Sequence, residues 1–171
     1  IFDVLENYTT YQTFFQLSKK IEDDPNMNKK KAACAIARFL TLHPYNLAQK
    51  TEVMIEHFRQ VTMKKIGGKA KAMVVTASRE HVVRYKHEFD RYLKEKNYKD
   101  IKVLVAFSGT VLLDGIPPEY TEPGMNGFGE KELPEKFATA EYQILLVAEK
   151  YQTGYDEPLL HTMYVDKRLD G

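Results

Sequence analysis

The sequence predicts an α/β protein in which an open, mostly parallel sheet follows a helical segment. After residue 68, short continuous apolar runs recur, as is typical of strands covered on both faces. Helical patterns and loops alternate with these runs, which favours parallel pairing. Before residue 68, the apolar residues recur mostly at three- and four-residue steps, the spacing of one helix face. We therefore expect a helical segment over 1–68 and an α/β domain over 69–171.

The helical segment contains three candidate helices. The clearest covers residues 46–63, where the apolar stripe consists of Leu47, Met54, Ile55, Phe58 and Val61. A second apolar stripe runs from 33 to 40, and an aromatic-rich pattern over 5–21 predicts a third helix. Cys34 lies in the apolar run 32–37, which favours a small core residue over a nucleophile.

Four strands are predicted in the second part, at 73–75, 103–107, 144–147 and 162–165. The pattern over 79–97 predicts a helix, and Ser78 stands at its N-cap position. Residues 72–106 therefore read as a βαβ unit. The segment 108–140 is rich in Gly and Pro, and we expect an irregular loop there, with a helix only over 131–140.

Composition excludes several classes of protein. The 171 residues are 43% hydrophobic and 29% charged, which is typical of a globular chain. No apolar run approaches the roughly 18 residues that cross a bilayer, and a single cysteine favours a reducing compartment. We therefore expect a cytoplasmic protein with no membrane contact.

Charge is distributed unevenly along the chain. Residues 1–100 carry 19 Lys and Arg against 12 Asp and Glu, whereas residues 101–171 carry 6 against 12. The net charge of +1 thus hides a basic first part, which can attract a polyanion. Solvated lysine-rich helices explain the same numbers equally well, so charge alone does not decide.

Polar residues follow three of the predicted strands, where ligands of open α/β sheets bind. The first group is Thr76, Ser78 and Arg79, whose hydroxyls and guanidinium suit a phosphate. Ser108 and Gly109 follow the second strand, and Gly154 and Asp156 lie beyond the third. We expect these groups to share one end of the sheet. Helix capping by Ser78 and ordinary turns are the simpler alternatives for each group taken alone.

Other catalytic signals fail. Gly67 and Gly68 precede a strand instead of following one, and the P-loop frame is absent. Glu149 and Lys150 are adjacent, so they would point to opposite faces of a strand and would not form a nuclease site. The histidines have no zinc-binding spacing, and no Ser/His/Asp arrangement is apparent. We therefore predict no metal site and no catalytic residue in this chain.

The three groups together resemble the second RecA-like lobe of superfamily 2 helicases and translocases. Residues 76–79 resemble motif IV, 107–109 the phosphate-contacting segment and 153–156 motif V. The match is closer to the restriction (R) subunit of type I restriction-modification enzymes. It is carried by residues 43–50, 68–76, 84–86, 106–110, 120–122, 125–128, 152–156 and 159–167.

This resemblance implies a part of an ATP-dependent double-stranded DNA translocase that carries an endonuclease. It implies ATP and Mg²⁺ as cofactors of the full subunit. The implied partners are double-stranded DNA, the methylation and specificity subunits, and a first motor lobe and a nuclease domain in the same chain. Gly154 and Asp156 would contact ATP. DNA phosphates would be contacted by Thr76, Ser78, Arg79, Ser108, Gly109 and Thr153.

The sequence departs from the helicase pattern in two places. Ala148-Glu149 stands where many helicases have Thr-Asp, and motif VI would begin beyond Gly171. We therefore expect an incomplete lobe that alone neither hydrolyses ATP nor cuts DNA. The alternative is a DNA-binding or subunit-assembly module without nucleotide dependence, in which the basic helical segment, including Lys29, Lys30 and Lys31, does the docking.

Overall fold

A computed structural model describes Gln16, Lys19 and residues 28–151 and 155–167. Contacts between backbone positions divide the chain into two compact units, residues 1–50 and 51–171. The helix predicted over 5–21 lies outside the described residues, apart from Gln16 and Lys19. The predicted division at residues 68 and 69 stays a prediction.

The two other predicted helices are present. Helix α1 spans Lys29–Leu42 and helix α2 spans Pro44–Gln60. Asn28 caps α1, because its side-chain oxygen accepts hydrogen bonds from the backbone N–H groups of Lys30 and Lys31 at 3.1 and 3.3 Å. The cap compensates in part for three lysines at the positive end of the helix dipole.

Cys34 is exposed, so the predicted core position is wrong. In α1, Ala32 is buried, and Ile36 and Leu40 are half-buried. These residues are spaced by four, so they share one side of the helix. Cys34 lies two positions from Ala32 and therefore faces away from that side.

The second unit begins within α2, at residue 51. Two 3-10 turns, Thr62–Lys64 and Ile66–Gly68, lead into strand β1. The elements that follow are β1 (Lys71–Thr76), α3 (Arg79–Glu95), β2 (Val103–Ala106), β3 (Thr110–Leu113), β4 (Ile116–Thr121), α4 (Glu122–Asn126), a 3-10 turn (Glu130–Glu132), α5 (Leu133–Ala138), β5 (Ile144–Val147) and β6 (Leu160–Asp166).

Four strands form a parallel sheet in the order β2-β5-β1-β6. This arrangement confirms the predicted fold class, and it is consistent with an incomplete RecA-like lobe. Strands β1 and β2 are parallel, as the βαβ pattern predicts, but β5 lies between them. All residues of β1, β2 and β5 are buried, which explains their continuous apolar sequences.

Helices pack on both faces of the sheet. On one face, Met73, Val75 and Leu145 pack in a cluster with Leu133 and Phe137 of α5. On the opposite face, α2 and the first 3-10 turn contact β6. There the His57 Nδ1 lies 2.7 Å from the Tyr164 hydroxyl, and the hydroxyls of Thr62 and Thr162 are 2.8 Å apart. Helix α3 joins this face, since the buried Tyr85 hydroxyl donates to the Asp166 carboxylate.

The segment 108–140 is not an irregular loop, so that prediction is wrong. Its first half forms a hairpin, in which β3 pairs antiparallel with β4, and continues into helix α4. The turn is Asp114-Gly115, and both residues have positive φ values, 54° and 70°. Asp-Gly is the usual pair for such a two-residue turn. The adjacent prolines, Pro117 and Pro118, favour a loop in the sequence, but they lie on a two-stranded ribbon that tolerates missing N–H donors.

Strand β2 is an edge strand of the sheet, and α4 covers the backbone N–H and carbonyl groups that no neighbouring strand pairs with. Asn126 pairs with Val105 like a neighbouring strand: its Oδ1 accepts from the Val105 N–H at 2.9 Å, and its Nδ2 donates to the Val105 carbonyl at 2.8 Å. Glu122 accepts from the next outward N–H, that of Phe107, at 3.1 Å. The side chains of α4 thus prevent unwanted strand pairing at this side of the sheet.

None of the helices in the described part of the chain has the length and apolar character needed to span a membrane.

Candidate functional site

The first predicted group follows β1 at the carboxyl end of the sheet. Thr76 is buried, with 1% of its surface exposed, and its hydroxyl lies 3.0 Å from the Val147 carbonyl and 3.1 Å from the Ser78 carbonyl. These contacts connect the ends of β1 and β5. In the described conformation the hydroxyl has protein acceptors, and the DNA contact predicted for Thr76 stays a prediction.

Ser78 caps helix α3, as the sequence predicts. Its hydroxyl accepts from the backbone N–H of His81 at 3.3 Å and lies 2.6 Å from the His81 Nδ1. His81 is buried, although it stands in the first turn of the helix. Ser78 therefore has a structural role at the start of α3, beside the phosphate contact that the resemblance implies.

Arg79 connects the first and second predicted groups. Its Nη1 donates a hydrogen bond of 2.9 Å to the Ser108 carbonyl, and both residues are exposed. Gly109 allows this approach, because a Cβ at that position would lie 2.8 Å from the Arg79 Nη1. Within the described part of the chain this is the guanidinium's one polar contact. The remaining N–H donors of this exposed side chain have no partner among the described residues and can bind a phosphate.

A buried carboxylate lies behind this contact. Glu122, at 1% exposure, accepts from the Phe107 N–H and from the Lys150 Nζ at 2.9 Å, both through Oε1. Lys150 also contacts Glu130 at 3.1 Å. The second oxygen, Oε2, is buried and has no hydrogen-bond partner among the described residues. Burial raises the pKa of Glu122, and the Lys150 ammonium opposes the rise only in part.

This network connects the carboxyl ends of β2 and β5. Phe107 directly precedes Ser108, and Lys150 lies three residues beyond β5. The sequence did not predict these contacts, since the two partners of the ion pair are 28 positions apart. The signal that could have found them is a Glu within a Gly- and Pro-rich segment after a buried strand.

Asp156 does not join the first two groups. Strand β6 begins at Leu160, which pairs with Lys71, the first residue of β1. Leu160 also donates to the Glu157 carbonyl at 3.0 Å, so the residues just before β6 lie at the amino end of the sheet. The expectation that all three groups share one end is therefore wrong for Asp156. The connection between β5 and β6 contains no helix among its described residues, and it carries the chain from one end of the sheet to the other.

Asp156 is exposed, and within the described residues its carboxylate has no hydrogen bond or ion pair. Tyr155 beside it is packed against Tyr151 and Phe137, with ring centroids 4.8 and 6.3 Å away. Burial raises the pKa of Tyr155 to about 12. Thr153 and Gly154 lie outside the described residues, so their predicted contacts stay predictions.

The amino end of the sheet also contains a buried cation. Lys71 is 2% exposed, and its Nζ donates to the Thr139 carbonyl at 2.6 Å and to the Tyr142 carbonyl. The ammonium lies 5.1 Å from the centre of the Phe137 ring. Burial lowers the pKa of Lys71, and the Glu157 carboxylate opposes this shift. Lys71 therefore joins the start of β1 to the segment between α5 and β5.

No group of three or more His, Cys, Asp or Glu residues in the described ranges could hold a metal ion.

The chain is similar over most of its length to proteins of the archaeon Methanocaldococcus jannaschii. It is 29% identical over 166 residues to a protein provisionally named the type I restriction enzyme MjaVIIP endonuclease subunit, a match that covers 90% of this chain. It is 30% identical over 162 residues to the MjaIXP endonuclease subunit, with 91% of this chain covered, and that name is also provisional. No protein-family profile matches the chain.

A third relative, the MjaVIIIP endonuclease subunit, is 31% identical over 110 residues, and its name is provisional as well. This match covers 59% of the chain. The chain spans only 15%, 14% and 11% of the length of the three relatives, respectively. The similarity thus concerns one segment of much longer proteins.

Proposed function

We propose that this chain is part of the endonuclease subunit of a type I restriction enzyme, and that it forms the second RecA-like lobe of an ATP-driven double-stranded DNA translocase. The observation that carries the proposal is the contact of Arg79 with the Ser108–Gly109 turn at the carboxyl end of a parallel sheet. Similarity to three proteins named as such subunits supports it.

The Arg79 contact suits a DNA backbone. A guanidinium held against a backbone carbonyl keeps a fixed direction, and its free N–H donors can bind two oxygens of one phosphate. The exposed hydroxyl of Ser108 and the adjacent turn would add neutral donors. Such contacts position a duplex without reading its sequence, which suits a motor that moves along any DNA.

The environment of Asp156 suits a contact with the sugar of a nucleotide. The carboxylate is exposed and has no partner within the described residues, so it can accept a hydrogen bond from a ribose hydroxyl. In the proposed motor, ATP with Mg²⁺ supplies the energy of phosphoryl transfer. Asp156 and Gly154 would hold its sugar, and the groups that contact the phosphates would belong to a first lobe.

The two ends of the sheet then have different tasks, and this difference gives the test. In the complete subunit, assembled with its methylation and specificity subunits, Asp156→Ala should lower DNA-stimulated ATP turnover about tenfold or more and leave DNA binding unchanged. Arg79→Ala should lower the affinity for DNA and uncouple ATP turnover from DNA. Turnover by a coupled phosphate-release assay and binding by fluorescence anisotropy give the two readouts.

Arg91→Ala is the matched control, since Arg91 is an exposed arginine on the same helix, α3, and is paired with Glu88 and Glu95. It should change neither readout. The proposal fails if Asp156→Ala leaves turnover intact, or if Arg79 and Arg91 variants behave alike. If instead neutralising Lys29, Lys30 and Lys31 removes DNA binding with no effect of nucleotide, the chain is a DNA-binding or assembly module.

A further inference from the structure

An exposed basic loop, residues 64–69, joins α2 to β1. Its sequence is Lys-Lys-Ile-Gly-Gly-Lys, and all six residues are exposed. It lacks the P-loop frame and precedes β1, so it lies at the amino end of the sheet, away from the Arg79–Ser108 contact. The proposed function gives this loop no role.

The three lysines of the basic loop are unpaired. Lys64, Lys65 and Lys69 have no hydrogen bond or ion pair through their side chains within the described part of the chain. Most cations of helix α3 differ in this respect. Arg84 and Lys86, for example, each contact a carboxylate four residues away on the same helix. The positive charge of the basic loop is therefore available to an external anion.

The backbone of the loop has a defined and strained shape. Ile66, Gly67 and Gly68 have φ values of 50°, 63° and 81°, and the first is a β-branched residue that rarely adopts such values. The Lys65 carbonyl holds the turn, since it accepts from the N–H groups of Gly68 at 3.0 Å and Ala70 at 3.2 Å. Residues held in such sparsely populated backbone conformations cluster at active sites, ligand-binding sites and switch regions.

The outer side of the turn is open. A Cβ built at Gly67 or Gly68 would meet no atom within 4 Å, so a ligand can approach the backbone there. Ile66, at 45% exposure, is the only apolar side chain of the loop. A protein interface needs a larger apolar centre, and lysine is depleted from such centres, whereas lysine is a common ligand of phosphate backbones.

We propose that the basic loop binds the phosphate backbone of double-stranded DNA, as a second contact at the end of the sheet opposite to Arg79. The three ammonium groups can neutralise up to about three phosphates, and their flexible side chains suit contacts that carry no sequence preference. This inference rests on the charge, exposure and shape of the loop, and it holds whether or not the chain is part of an ATP-driven motor.

The test uses the 171-residue chain and a fluorescein-labelled 30-base-pair duplex, with anisotropy measured at several NaCl concentrations. The loop variant combines Lys64→Gln, Lys65→Gln and Lys69→Gln. We expect it to raise Kd at least tenfold and to reduce the slope of log K against log salt by about 2 to 3, since each lost phosphate contact removes about 0.9. A second triple variant with arginine at the same positions should bind like the unmodified chain.

The matched control combines Lys94→Gln, Lys96→Gln and Lys99→Gln, which removes the same charge from three other exposed lysines of the same unit. It should change Kd less than threefold. Far-UV circular dichroism and urea midpoints should be the same for all variants, because none of the six side chains is buried.

Three results would overturn the proposal: equal losses in the loop and control variants, full binding by the loop variant, or no salt-sensitive binding by the unmodified chain. If the loop variant keeps full DNA binding and shows weakened self-association in sedimentation, the second of these results assigns the loop to a protein contact. Failure here would leave the Arg79 and Asp156 tests of the proposed motor unaffected. Success here would not rescue that proposal if those tests fail.

Discussion

The two ends of the parallel sheet use charge differently. At the carboxyl end, the polar groups are tied to one another: Arg79 contacts Ser108, and the buried Glu122 holds Lys150 and the Phe107 N–H. At the amino end, one lysine is buried among carbonyl groups, while three others in the loop before β1 have no partner in the described residues. Residue type alone thus does not tell which polar side chain is free to bind a ligand.

The largest expected effect comes from the buried carboxylate. Glu122→Ala removes the acceptor of the Phe107 N–H and the buried partner of Lys150, so we expect a loss of about 3 kcal/mol in the free energy of unfolding, as for other broken buried ion pairs. Urea unfolding measures it. Glu119→Ala, at an exposed glutamate of β4, is the control and should cost less than about 0.5 kcal/mol. Equal effects would mean that the carboxyl end is not held by this network.

The buried lysine at the amino end should have the next largest effect. Lys71→Met keeps most of the side-chain volume but leaves the carbonyls of Thr139 and Tyr142 without their donor, which should cost about 2 kcal/mol. Lys69→Met, two residues earlier and exposed, should be nearly neutral. Chemical denaturation of both variants gives the comparison. A Lys71→Met variant that is more stable than the unmodified chain would show that the buried charge destabilises the fold.

A smaller loss of stability is expected at the outer edge of β2. Asn126→Ala leaves the N–H and carbonyl of Val105 without their partners, at a cost of about 1.5 kcal/mol. It should also promote association, because an uncovered strand can pair with another chain. Light scattering detects that association. Asn126→Asp keeps the acceptor for the Val105 N–H but turns a carboxylate oxygen toward the Val105 carbonyl, so it should also lose stability. An Asn126→Ala variant with unchanged stability and solubility would contradict the role given to Asn126.

The pH dependence of stability should show the smallest effect. The pKa of Glu122 is raised above its ordinary value of 4.5, so the folded state binds this proton more tightly than the unfolded chain does. That contribution is fully present below pH 4.5 and is lost as the pH rises through the folded-state pKa. The Glu122→Gln variant lacks this contribution, because a glutamine side chain does not titrate. The stability of the unmodified chain relative to this variant should therefore fall as the pH rises above 4.5, and a difference that grows with pH would contradict the raised pKa.

Local sequence patterns predicted the main elements well. The apolar runs of β1, β2 and β5 are continuous because both faces of these strands are buried, and the N-cap of α3 is visible in Ser78. The hairpin was not predicted, because the loop signal of Pro117 and Pro118 was given more weight than the hairpin-turn signal of Asp114-Gly115. Cys34 was misplaced because an unbroken apolar run does not show which side of a helix is covered.

The candidate site was predicted only in part. The Arg79, Ser108 and Gly109 group follows from one rule, that parallel strands end at the same end of a sheet, and the structure brings its members together. The rule failed for Asp156, because the number of residues between β5 and β6 does not show at which end of the sheet each residue of the connection lies. Only the pairing of Leu160 with Lys71 places it.

The sequence by itself determined the class of fold, the positions of the four sheet strands along the chain and the residue types at their ends, because apolar periodicity and capping are local properties of the chain. The tertiary structure alone decided the strand order β2-β5-β1-β6, the pairing of Glu122 with Lys150 and the separation of Asp156 from Arg79. These features join residues that are far apart in sequence, and their free energy arises from burial and hydrogen bonding that exist only once the sheet is assembled.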